Sequence, residues 1–176
     1  MSGRRRMVSV IGPSDVGPDD HRYGIAYLIG KLLVDNGFRV MTGGLSGIME
    51  AALKGARESA SYREGDTIGV IPSLDPDDAN PYCDIVIPTG LGIGRNLIVS
   101  SADGIIAVGG GSGTLSEIAL SWQKGRPIAA LDVPGWSGEL ADRALDDRRN
   151  GYVMGRASSP EEAVAHIMSH LDEGQC

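Results

Sequence analysis

The chain has 176 residues, of which 41% are hydrophobic, and this suits a single globular domain with a buried core over 1–176. The net charge of −7 argues against a general nucleic-acid binder, which needs a basic face. No apolar run approaches the roughly 20 residues of a membrane helix. Cys83 and Cys176 lack metal-type spacing. We therefore expect a cytoplasmic protein with no membrane, nucleic-acid or metal partner, and a flexible basic tail over 1–6.

The first half of the chain alternates short apolar runs with helix-like segments. In chain order, we predict a strand at 7–12, a helix capped by Asp19 or Asp20 and ended by Gly37, a strand at 38–44, a helix at 46–59 with Ser46 as its N-cap, a strand at 67–72, a polar loop at 73–83 and a strand at 84–90.

The second half continues the alternation. It predicts a helix at 94–102, a strand at 104–110, a helix at 112–125, a strand at 127–132, a helix near 138–147, a short edge strand at 151–157 and a helix at 159–174 capped by Ser159. The run at 104–110 is the most completely apolar and is expected near the sheet centre. The pattern indicates an α/β fold with a mainly parallel sheet of six to seven strands and helices on both faces.

Three loops that follow predicted strands, "GPSD", "TGGLSG" and "GGGSGT", carry glycine and small polar residues. They would share the sheet edge at which such folds bind ligands. The last two lead into helices, whose first N–H groups suit a phosphate, although glycine-rich turns without a ligand are the alternative. Neither the dinucleotide fingerprint nor the P-loop occurs, which disfavours classical NAD binding and ATP hydrolysis. The candidate ligand-binding residues are Gly12, Ser14, Gly43, Gly44, Gly47, Asn96, Gly110, Gly111, Ser112, Gly113 and Thr114.

Two charged residues stand near these loops. Glu117 lies four residues after Gly113, so helix geometry returns it to the same face, where it could meet a ligand or only stabilise the helix start. Arg95 begins a predicted helix, which is a poor place for a cation, and this indicates an anionic partner: a phosphate or Glu117. Asn96 could cap that helix or bind the ligand.

At "TGGLSGIMEAALKGA" and "GRNLIVSSADGIIAVGGGSGTLSE" the chain resembles a Rossmann-like, doubly wound superfamily. This group contains the LOG-type cytokinin-activating phosphoribohydrolases, once mislabelled as lysine decarboxylases, and the molybdenum-cofactor carrier proteins. The hydrolases share the motif PGGxGTxxE with an upstream arginine. They cleave the N-glycosidic bond of a nucleoside 5′-monophosphate to give a base and ribose 5-phosphate. By motif, the catalytic pair would be Arg95 and Glu117, and the phosphate loop would be 110–114.

Three departures from the hydrolase motif make the chain look closer to the carrier branch. Gly109 stands where the motif has proline, Ser112 stands where it often has an aromatic residue, and Asn96 follows the arginine where hydrolases commonly have lysine. The resemblance thus implies either of two functions. One is a cofactor-independent phosphoribohydrolase, in which Glu117 stabilises an oxocarbenium-like ribose and Arg95 orients that carboxylate. The other is a non-catalytic carrier of molybdenum cofactor or a related phosphorylated pterin or nucleotide.

A ligand-sensing oligomer without catalysis is the third hypothesis. All three share a small phosphorylated ligand. Because relatives in the superfamily are typically dimers, the resemblance also implies a homodimer or higher homo-oligomer. Leu115, Ile118, Ala119 and Trp122 have an apolar spacing that would serve either a dimer interface or a core.

Overall fold

The computed structural model describes residues 3–173 and contains a single parallel sheet. Its strands are β1 (Met7–Ile11), β2 (Arg39–Thr42), β3 (Thr67–Ile71), β4 (Ile85–Pro88), β5 (Gly104–Ala107), β6 (Ile128–Leu131) and β7 (Gly155–Ala157). They lie in the order β4-β3-β2-β1-β5-β6-β7, and every neighbouring pair is parallel. The predicted Rossmann-like α/β fold is confirmed. β1 is the middle strand, and the apolar β5 lies beside it.

Helices cover both faces of the sheet. They are α1 (His21–Asp35), α2 (Ile48–Arg57), α3 (Asn96–Val99), α4 (Ser112–Gln123), α5 (Trp136–Leu140) and α6 (Pro160–Glu173), with 3₁₀ turns at Pro76–Asp78 and Gly92–Arg95. One core lies under α1, α2 and α6, and the other under α3, α4 and α5. Within residues 3–173, no helix is long and apolar enough to cross a membrane.

The sequence of β5 is continuously apolar because side chains on both faces of the strand are buried. Ile106 packs into the core under α1, α2 and α6, whereas Ile105 and Ala107 pack into the other core. Both faces of a central parallel strand are buried, so alternation with polar residues is lost. Ile118 and Trp122 of α4 are buried in the second core, at 0% and 2% exposure, and therefore serve the core of the chain.

Several predicted helix boundaries are wrong for local reasons. Ser46 does not cap α2; its hydroxyl donates to the carbonyl of Ser14, and Gly47, at φ 69°, takes the cap position. The helix predicted at 94–102 is split into a 3₁₀ turn and the short α3. Ser100 and Ser101 end α3 by donating to the carbonyl of Leu97, a local bond that competes with helix continuation.

Two other boundaries concern the first and fifth helices. Asp20 is confirmed as the cap of α1, because its carboxylate accepts from the backbone N–H of Arg22. The helix predicted near 138–147 starts earlier and is shorter, at Trp136–Leu140. Gly135, at φ 119°, turns the chain into α5, and Asp142, at φ 62°, lies in the turn that follows it.

The basic start of the chain is not a free tail where the structure describes it. Arg4 makes two hydrogen bonds of 2.7 and 2.6 Å to the carboxylate of Asp103, just before β5. Arg5 pairs with the buried Asp66, just before β3. The prediction of a flexible tail over 1–6 is therefore wrong for these arginines, while residues 1 and 2 lie outside the described range. The two pairs hold the segment at the amino edge of the sheet.

Backbone contact between α1 and α2 sets the position of the second helix. A Cβ atom added to Gly30 would lie 1.8 Å from the carbonyl oxygen of Ala52. One added to Gly55 would lie 1.8 Å from the carbonyl oxygen of Tyr27. Two glycines thus allow the helices to approach as closely as their backbones permit. Because α2 begins beside the sheet edge that carries the glycine loops, this packing also positions that edge.

Gly30→Ala and Gly55→Ala should each lower the free energy of unfolding by about 3 kcal/mol or more, since a rigid backbone atom occupies the place of the new methyl group. Gly24→Ala is the matched control. It lies on the exposed side of α1 with nothing within 4 Å of its Cβ, and it should stabilise the protein by about 0.5–1 kcal/mol. Urea denaturation measures all three. Equal unfolding midpoints for Gly30→Ala and Gly24→Ala would contradict the close approach.

Candidate functional site

A cavity of about 420 Å³ opens at the carboxyl ends of β1, β2 and β5. This is the switch point of the sheet, where the strand order reverses between β1 and β5. Its volume falls in the range of small-molecule sites, roughly 300–1,000 Å³. The lining residues are Ile11, Gly12, Pro13, Ser14, Asp15, Gly43, Leu45, Met49, Arg95, Asn96, Gly111, Ser112, Gly113, Thr114 and Glu117.

The start of α4 forms one wall of this cavity. Gly109 and Gly110, at φ 66° and 96°, turn the chain from β5 toward the helix, and Gly111 is its N-cap. No side chain caps this helix within the described range. The first N–H groups of a helix have no partner inside it and carry a partial positive charge. The residues that line the cavity here, 111–114, therefore present donors suited to an anion.

The start of α2 is arranged differently from that of α4. The backbone N–H of Ile48 donates to the carbonyl of Pro13 at 3.0 Å. The Ser46 hydroxyl donates to the neighbouring carbonyl of Ser14 at 2.8 Å. These bonds hold the β1–α1 loop in place, so the first amide of α2 is already occupied. Gly43 and Leu45 contribute to the cavity wall, and the β1–α1 loop takes up the first of the helix-start amides of α2.

Most of the predicted site residues meet at this cavity, but three do not line it. The three are Gly44, Gly47 and Gly110. A Cβ at Gly47 would lie 2.4 Å from the carbonyl oxygen of Pro13, and one at Gly110 would lie 2.2 Å from the hydroxyl oxygen of Thr114. Gly44, at φ 74°, packs against β3 in the same way. These glycines shape the loops from behind, because the backbone passes too close to its neighbours for any side chain.

Arg95 and Glu117 form a buried ion pair in the cavity wall. Nη1 of Arg95 donates to Oε1 of Glu117 at 2.7 Å and to Oδ1 of Asn96 at 2.8 Å. The two residues are only 8% and 6% exposed. Burial raises the pKa of Glu117 to about 7, although the adjacent Arg95 guanidinium opposes the shift. Of the two anionic partners considered for Arg95, the structure shows the carboxylate.

The neighbours of the ion pair hold it in place. A Cβ on Gly43 would lie 2.3 Å from Nη2 of Arg95, so the absence of a side chain there makes room for the guanidinium. The amide nitrogen of Asn96 donates to the hydroxyl of Ser116 at 2.7 Å, which joins α3 to α4. Asn96 therefore links two helices and lines the cavity instead of serving as a simple cap.

The sequence reasoning missed several lining residues, chiefly Asp15, Leu45 and Met49. Asp15 is exposed and belongs to "GPSD", directly after β1, so its position at the carboxyl edge was the available signal. Met49 is the second residue of α2, and only the packing of α2 onto the sheet brings its side chain to the cavity. The charged lining residues in the described chain are thus Asp15, Arg95 and Glu117.

Comparisons with known proteins agree with the fold described above. The model of the SLOG cluster4 family matches residues 5–164. An uncharacterized protein of Archaeoglobus fulgidus is 40% identical over 128 residues, which cover 72% of this chain and 80% of the relative. A molybdenum cofactor binding protein from Rippkaea orientalis superposes with a TM-score of 0.82 at 35% identity, covering 97% of this chain and 99% of its own. The Moco carrier protein from Chlamydomonas reinhardtii gives 0.80 at 28% identity with the same coverage.

The raised pKa of Glu117 predicts a pH-dependent stability that Glu117→Gln should remove. The folded state binds this proton more tightly than the unfolded chain, whose value is near 4.5. The resulting stabilisation is full below about pH 4.5 and is lost as the pH rises to about 7. We compare the free energies of unfolding of the unmodified protein and of Glu117→Gln. The difference between them should fall by up to about 3 kcal/mol as the pH rises from about 4.5 to about 7. Urea denaturation at pH 4.5, 6 and 8 checks this; a constant difference would contradict it.

Proposed function

Since this chain belongs to the SLOG cluster4 family, and its whole fold superposes on molybdenum-cofactor proteins, we propose that it is a binding protein that carries molybdenum cofactor or a closely related phosphorylated pterin. The observation that carries the proposal is the cavity at the switch point, with an open helix start on one wall. A pterin with a phosphate tail is a ligand of suitable size for it.

The phosphate of such a ligand fits best at the start of α4. The amides of residues 111–114 supply hydrogen-bond donors, and their dipoles favour negative charge. Gly111 and Gly113 have open space where a Cβ would stand, so the backbone there is accessible to a bulky anion. Arg95 lies in the same wall and adds a guanidinium to the donors.

The heterocycle fits the part of the cavity lined by the β1–α1 loop. A pterin ring presents an amino group and a ring N–H side by side, and a carboxylate accepts such a pair of donors. Asp15 has no hydrogen-bond partner within residues 3–173, and it would repel an anionic group placed beside it. Ile11, Leu45 and Met49 supply apolar contacts for the ring. These preferences orient the ligand with its phosphate toward α4.

Gly113→Asp should strongly reduce ligand loading without unfolding the protein. The Cβ of the new side chain meets no neighbouring atom, and its carboxylate stands in the first turn of α4, where negative charge favours a helix. The same charge repels a phosphate at this helix start, so we expect pterin occupancy to fall at least about tenfold. The measurement is mass spectrometry for bound pterin and elemental analysis for molybdenum, on protein purified without oxygen from cells that make the cofactor.

Gly24→Asp is the control for this experiment. It also adds a carboxylate at an open, exposed glycine near a helix start, but on α1 outside the cavity. It should load as much pterin as the unmodified protein. Equal loading of Gly113→Asp and Gly24→Asp, or no pterin on the unmodified protein, would overturn the proposed function.

Phosphoribohydrolase activity is the second candidate, and the pKa of Glu117 is the observation that favours it. A cavity-wall carboxyl that titrates near pH 7 is suited to general acid–base chemistry at neutral pH. Water could cleave an N-glycosidic bond placed beside it by adding to the sugar carbon, with Glu117 either protonating the leaving base or stabilising an oxocarbenium-like sugar. The ligand would be a nucleoside 5′-monophosphate, with its phosphate at the same helix start.

Release of free base from a panel of nucleoside 5′-monophosphates, followed by chromatography, separates the two functions. We expect no release by the unmodified protein, by Glu117→Gln or by Glu139→Gln, which replaces an exposed carboxylate outside the cavity. If the unmodified protein and Glu139→Gln release base while Glu117→Gln is at least about a hundredfold slower, the carrier proposal is wrong and Glu117 takes part in the cleavage.

A further inference from the structure

The charges of the cavity pose a problem for any anionic ligand. Among the lining residues of the described chain, Arg95 is the sole cation, and Glu117 already neutralises it at 2.7 Å. Asp15 leaves the wall with a formal charge of −1 when all three groups are ionised. A phosphate held by the α4 amides would therefore enter a site whose side chains repel it.

The guanidinium cannot easily be released from this pair by moving. Arg95 is only 8% exposed. Its guanidinium and the Met49 side chain both lie close to Gly43, since a Cβ added to that glycine would be 2.3 Å from Nη2 of Arg95 and 2.7 Å from Sδ of Met49. Its Nε is buried and has no hydrogen-bond partner in the structure, whereas Nη1 donates to both Glu117 and Asn96. Neutralising Glu117 leaves the guanidinium in place and frees its charge for the ligand.

We propose that anion binding in this cavity is coupled to the uptake of one proton by Glu117. The proton comes from solvent and binds a carboxylate oxygen, so the Arg95–Glu117 pair changes from a net charge of 0 to +1 as the anion enters. The neutral carboxyl remains beside Arg95, and the guanidinium is left to attract the anion. This inference rests on the proposed function, since it concerns how the same site accepts its phosphate.

The surroundings of Glu117 favour this protonation. The elements that line the cavity together with Glu117 contribute Arg95, Asn96 from α3, Met49 from α2 and Asp15 from the β1–α1 loop, and only the arginine and the aspartate carry charge. Burial already raises the pKa of Glu117 to about 7. A bound anion adds negative potential and raises that pKa further, so uptake at neutral pH requires little additional free energy.

Inorganic sulfate is the probe, because it does not titrate near neutral pH, as phosphate does. The dissociation constant of sulfate should be constant between about pH 6 and 7, and it should rise about tenfold per pH unit above about pH 7. Calorimetry at pH 8 in two buffers with different ionisation enthalpies should show uptake of close to one proton per sulfate bound. Both measurements use the unmodified protein, so they decide the matter even if a variant does not fold.

Glu117→Gln should bind sulfate with no pH dependence and no proton uptake, and at pH 9 it should bind about a hundredfold more tightly than the unmodified protein. Asp15→Asn, which removes the other lining carboxylate, should retain the pH dependence. Sulfate binding that is independent of pH in the unmodified protein, without proton uptake, would overturn this inference while leaving the anion site intact. No sulfate binding at any pH, with Gly113→Asp indistinguishable from the unmodified protein, would instead overturn the proposed anion site itself.

Discussion

The pairing of β1 with β5 is the constraint on which the site depends. The register joins Val8 to Gly104 and Ile11 to Ala107, and the ladder continues with Val108 donating to the carbonyl of Ile11 at 2.9 Å. Both strands therefore end at the same level, and the loops that follow them meet above the switch point. A Cβ at Gly12 would lie 2.6 Å from the carbonyl oxygen of Val108, so the pairing of the two strands excludes a side chain at the first residue after β1.

The polarity of the site comes mainly from the backbone. The positive end of α4 is open, whereas the side-chain charges of Arg95 and Glu117 cancel each other at 2.7 Å. A buried pair of this kind stabilises a protein weakly, because desolvation offsets much of its attraction. Burial raises the pKa of Glu117 in this pair to about 7, so the net charge of the cavity wall changes with pH near neutrality. One carboxyl can thus serve either a carrier, by adjusting charge, or a hydrolase, by transferring a proton.

The two glycine loops illustrate how similar sequences acquire different roles. "TGGLSG" and "GGGSGT" both lead from a strand into a helix, and both predict a phosphate cradle. In the folded chain, the first donates its helix amide to Pro13 and its serine hydroxyl to Ser14, so that it holds a neighbouring loop. In the second, no side chain caps the helix, and the residues at its start, 111–114, line the cavity. The β1–α1 loop makes this difference, and the two motifs carry no sign of it.

The amino-acid sequence by itself determined the strand and helix order, the sheet edge at which the cavity opens, and the two charged residues, Arg95 and Glu117, that meet in the cavity wall. These follow from apolar periodicity, from glycine and cap signals, and from charges placed at helix starts, all of which are local properties. Only the tertiary structure decided that Gly44, Gly47 and Gly110 lie behind the loops, that Ser46 bonds to another loop, and that Asp15 and Met49 reach the cavity. Except at Gly110, whose neighbour Thr114 is only four residues away, these depend on the distance between segments far apart in the chain, which packing sets and local sequence does not encode.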